Sequence, residues 1–143
     1  MTNNQDQEFV ADELKRLVGW GAHPRRLAVL PHLRSLAGVD NEVPLITAGY
    51  VIRRFLVEKI NALSGSYQFE GRSIEASHLK RAYRLLLQID GTGQSAVNRR
   101  YRAITLLGIH FSIDQWRRPT GPERELFGIL ASEITNREPS LRN

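Results

Sequence analysis

The sequence predicts an all-α fold, a compact bundle of six or seven helices, and three observations carry that expectation. Apolar residues recur at the helical period of about 3.6 residues in several separate stretches. Glycine, proline and short polar runs divide those stretches from one another. Strand-like alternation is confined to residues 66–74, which leaves room for a small hairpin only. With 143 residues, 41% of them hydrophobic and 24% charged, the chain has one domain's length and an ordinary globular composition. A single helical domain is expected over residues 1–137, with a frayed tail over 138–143.

The elements follow in order. Phe9, Val10, Leu14, Leu17 and Val18 share one stripe of a helix over 6–18, started by Asp6 and stopped by Gly19 and Gly21. "GWGAHP" is a loop. Leu27, Leu30, Leu33 and Leu36 repeat every three residues over 25–37, but Pro31 interrupts them, so one kinked helix or two short ones are expected. Residues 45–63 form a wide apolar stripe of Leu45, Ala48, Gly49, Ile52, Phe55, Leu56, Ile60 and Leu63, behind Pro44. Beyond the hairpin segment, Ser73 heads a helix over 74–89 with Leu79, Ala82, Leu86 and Ile89 inward. Ser95 heads another over 96–109. Ser112 and Gln115 have capping-box spacing for a short helix that Pro119 ends. Thr120 and Glu123 repeat that spacing ahead of a helix over 121–136, with Leu126, Phe127, Leu130, Ala131 and Ile134 inward.

Composition narrows the function classes. No apolar run approaches the roughly 20 residues that span a bilayer, so no membrane association is expected. The polar, acidic start does not read as a signal peptide, and a cytoplasmic protein is expected. Cysteine is absent, which removes disulfides, thiolate metal sites and cysteine nucleophiles. His23, His32, His78 and His110 show no metal-ligand spacing, so neither a metal nor a cofactor is expected. "GTGQS" at 91–95 lacks the Gly-Lys-Ser/Thr ending of a phosphate loop, and no Gly-x-Ser-x-Gly elbow occurs. Glu123, Glu125 and Glu133 read as capping and solvating groups on the last helix. The chain reads as non-enzymatic.

The net charge is +5, and all but three of the 20 bases are arginine. Residues 1–20 carry a net charge of −2, while 21–60 and 61–100 carry +3 each. Arginine's planar fork suits phosphate and carboxylate, though GC-rich coding raises arginine content without a role. The densest stretch is "NRRYRAITLLGIHFSIDQWRRP", residues 98–119, with five arginines and one acid. Ala103, Gly108, Ile109 and Ser112 stand where a small residue, a bend, an apolar anchor and a second-helix cap are needed. Ile113 and Trp116 are one turn apart.

This stretch resembles a helix-turn-helix, with two extra residues in the turn and a second helix cut short by Pro119. The resemblance implies DNA binding through Arg99, Arg100, Arg102, Gln115, Arg117 and Arg118, the glutamine toward adenine and the arginines toward guanine or phosphate. The C-terminal third is also similar to an uncharacterised helical module of regulatory and defence-type multidomain proteins from GC-rich bacteria. The positions are Arg99, Arg100, Ala103, Leu106, Leu107, Gly108, Ser112, Trp116, Arg117, Arg118, Glu123, Leu126, Leu130 and Ala131. It implies a regulatory or adaptor role. The alternative partner is therefore a protein, met through Trp116 or Trp20 with the arginines as a solvated face. Pairing with a second copy stays open.

Overall fold

The structure is a computed structural model and describes residues 4–91 and 93–136. Eight helices and one two-stranded antiparallel sheet occur among the described residues. The helices are α1 (Asn4–Trp20), α2 (Pro24–Leu27), α3 (Pro31–Leu36), α4 (Leu45–Asn61), α5 (Ala76–Leu86), α6 (Ala96–Leu107), α7 (Ile113–Trp116) and α8 (Pro122–Thr135). The strands are β1 (Ser66–Phe69) and β2 (Arg72–Glu75). The tail expected at 138–143 lies outside the described residues. No helix among the described residues is long and apolar enough to cross a membrane.

Local chemistry explains most boundaries. Pro31 opens α3, so the interrupted leucine repeat becomes two short helices rather than one kinked one. Gly108 ends α6 in the left-handed conformation that glycine adopts without strain. The hairpin turn Glu70–Gly71 has positive φ at both residues, as a type I′ turn requires, and pairs Phe69 with Arg72. Two helix starts and one side chain differ from expectation. Ser73 lies within β2, and α5 begins three residues later, because the hairpin carries the chain to Glu75. Gly121, not Thr120, caps α8. Glu123 turns into the protein instead of back onto its own helix.

One contiguous apolar cluster takes residues from every helix and both strands. Within it α1 packs along α8, α5 along α6, and α2 across α4. Trp116, Tyr83, Phe69 and Phe127 are its largest fully buried side chains. The crossing of α2 over α4 is tight: a Cβ at Gly49 would overlap the Pro24 carbonyl. Glu13, buried in α1, caps α3 from a distance, accepting the His32 and Leu33 N–H groups at 2.9 Å each. Phe9 and Leu45, expected inward, sit at the surface. Phe9 stacks on the His32 ring at 4.6 Å between centroids.

Candidate nucleic-acid interface

Helix α6 carries the first three arginines of the basic stretch, and its packing sends them to different places. Arg99 is 3% exposed. Its guanidinium donates to Leu86 O at the end of α5, to Val18 O in the last turn of α1 at 2.7 Å, and to Gln94 O at 3.1 Å. A cation there satisfies carbonyls that two helix ends leave unpaired. Burial, with the Arg100 charge alongside, lowers its pKa from that of a free guanidinium.

Arg100 faces α8. It grips Glu123 bidentately, Nε to Oε2 at 2.8 Å and Nη2 to Oε1 at 3.0 Å. Glu123 is fully buried and accepts two more hydrogen bonds, from Lys15 Nζ at 3.0 Å and Trp116 Nε1 at 2.7 Å. One carboxylate thus ties α1, α6 and α7 to α8. Its expected role as a solvated helix-face acid is corrected accordingly.

Helix α7 is a single turn of four residues. Trp116 is fully buried, edge-on to Phe69 at 6.2 Å, so it presents nothing to a partner. The Gln115 side chain is committed to the capping box, its Oε1 accepting the Ser112 N–H at 3.0 Å. That engagement removes the acceptor that adenine recognition requires. Arg117 and Arg118 are exposed beyond α7, where Lys15 Nζ donates to Arg117 O at 2.8 Å. Trp20 is half-exposed, with the Arg26 guanidinium over its ring at 5.5 Å.

Arg102 is different. At 100° per residue it lies roughly 200° around α6 from Arg100, on the flank that meets α5. There it lines a cleft of about 310 Å³ with Arg81 and Leu85 of α5 and Tyr101, Thr105 and Leu106 of α6. A second depression of about 340 Å³ continues the cleft past Arg84, Gln88 and Asp90, sharing Arg81, Leu85 and Arg102. Arg81 and Arg102 are exposed, with no hydrogen-bond or ion-pair partner among the described residues. Arg84 donates to both Asp90 oxygens, at 2.7 and 3.2 Å, which holds that carboxyl below its usual pKa and leaves it as the one acid lining the cleft.

The five arginines therefore do not form one surface. Two are internal, two flank the α7–α8 corner, and only Arg102 joins other arginines in a concavity. Sequence reasoning missed Arg81 and Tyr101. The signal for Arg81 was its spacing with Arg84 on the face of α5 opposite Leu79, Ala82 and Leu86, while no spacing marked Tyr101. Comparison with protein-family models, curated proteins and solved structures finds no match.

Proposed function

We propose that this chain is a cytoplasmic, non-catalytic regulatory module that binds nucleic acid through the α5–α6 face. The observation that carries the reading is the convergence of Arg81 and Arg102, from two helices, on one cleft with no acid holding either. Guanidinium pairs of this kind suit phosphate oxygens, and phosphate contacts release counterions. Arg117 and Arg118 add positive charge at the α7–α8 corner. Affinity comes from the backbone, since Gln115 is engaged in its cap.

Fluorescence anisotropy of a labelled oligonucleotide across a salt series tests this. Log affinity should fall linearly with log salt, and Arg81→Gln and Arg102→Gln should each reduce the slope by about one. Absence of binding at low salt would overturn the reading, as would binding that neither substitution changes.

A second reading rests on α4, where Leu45, Ile46, Tyr50 and Val51 are all exposed. Apolar exposure concentrated on one helix suits a protein contact, including pairing of two copies. Sedimentation velocity would register that pairing, and Ile46→Glu should abolish it.

A further inference from the structure

We infer that the α5–α6 cleft takes single-stranded rather than duplex nucleic acid, with an unpaired base stacked on Tyr101; this rests on the nucleic-acid reading above. Three features of the cleft carry it.

The first is the tyrosine itself. Tyr101 is 57% exposed, and its hydroxyl has no partner among the described residues. Val97, one turn earlier on α6, is 46% exposed. An aromatic ring set beside two unpaired guanidinium groups gains nothing from phosphates. It gains from a base face, and a base offers its face only when splayed out of a duplex.

The second is shape. B-DNA's major groove is about 12 Å wide and admits one helix. Helix α6 does not project alone, because it is packed along α5. Two helices side by side, each about 10 Å across and about 9 Å apart, are too broad for that groove. Helix α7, at four residues, offers no substitute.

The third is size. Depressions of about 310 and 340 Å³ that share Arg81 and Arg102 each match the lower range for small-ligand sites, roughly 300–1,000 Å³. Two successive nucleotides fit this layout, one base against Tyr101 and Leu106 and the linking phosphate between Arg81 and Arg102.

The test is anisotropy of fluorescein-labelled dT12 against a 12-base-pair duplex at matched salt, with AMP and polyglutamate as competitors. The expected result is at least tenfold tighter binding of dT12. Tyr101→Ala should weaken dT12 binding roughly five- to a hundredfold, the effect of one stacked base, while leaving the salt slope unchanged. Tyr101→Phe should retain affinity. Equal affinity for duplex and single strand, or a Tyr101→Ala protein that binds dT12 normally, overturns the inference while the nucleic-acid reading stands. Competition by AMP at the oligonucleotide's own concentration also overturns it, because the ligand is then a free nucleotide. Polyglutamate competing equally well shows a general polyanion site and removes both. Failure to bind either oligonucleotide removes the nucleic-acid reading itself.

Discussion

The indole N–H of Trp116 donates to Glu123 Oε2 at 2.7 Å, with both side chains fully buried. This bond takes the tryptophan of the basic stretch out of contact with any partner. It also joins that side chain to Arg100 and Lys15 through one shared carboxylate.

Glu123→Ala should therefore cost about 3–5 kcal/mol, because Arg100 and Lys15 would lose the anion that balances them in a site with little water. Trp116→Phe keeps most of the packing and loses one hydrogen bond to a charged group, about 1.5–3 kcal/mol. Urea unfolding followed by circular dichroism measures both. A Glu123→Ala protein as stable as the parent would refute the hub.

Arg99 and Arg102 stand one turn apart on α6 and should behave oppositely. Arg99→Met leaves the carbonyls of Leu86, Val18 and Gln94 without their donor, and at least about 2 kcal/mol of stability should be lost. Arg102→Gln should change stability by less than about 0.5 kcal/mol, as exposed surface substitutions do. It should instead weaken oligonucleotide binding. Parallel unfolding and anisotropy experiments separate the two roles.

Gly49→Ala should destabilise the protein by about 1–3 kcal/mol through overpacking, since the new Cβ meets the Pro24 carbonyl and α2 must lift from α4. Gly128→Ala is the control: nothing lies within 4 Å of a Cβ there, and the helix interior favours alanine. Its thermal midpoint should rise or stay level while that of Gly49→Ala falls.

The hairpin tip supplies a pH dependence. A hydrogen bond shared with Glu125, then desolvation and the Glu125 charge, push the Glu70 carboxyl from 4.5 up to about 7. The folded protein thus holds this proton more tightly than the unfolded chain. The stability it contributes is complete below pH 4.5 and is lost as pH rises through about 7. Glu70→Gln should remove this decline, so the variant's thermal midpoint should fall less than the parent's between pH 5 and pH 8. Identical profiles for the two proteins would show that the carboxyl pair does not titrate as a unit.

The local elements were legible because their causes are local. The periodic stripe over 45–63, the Ser95 and Ser112 caps and the hairpin segment over 66–74 each depend on residues a few positions apart. Pro31 marked the break between α2 and α3 for the same reason. The placement of charge was not legible in this way. A guanidinium has the same formula whether it bonds three carbonyls, a carboxylate or water. Arg99 is internal because the ends of α1 and α5 converge on it, and Arg100 because Glu123 arrives from α8. Arg102 is free because the acid that shares its cleft, Asp90, is already held by Arg84.

The sequence by itself determined that this is a helical, arginine-rich chain with room for one small hairpin, since propensity, period and capping act over one or two turns. Tertiary structure alone decided which arginines are available to a partner. That choice depends on which helix ends and carboxylates come to rest beside each guanidinium, and contacts such as Arg99 with Val18 or Lys15 with Glu123 span 81 and 108 positions of chain.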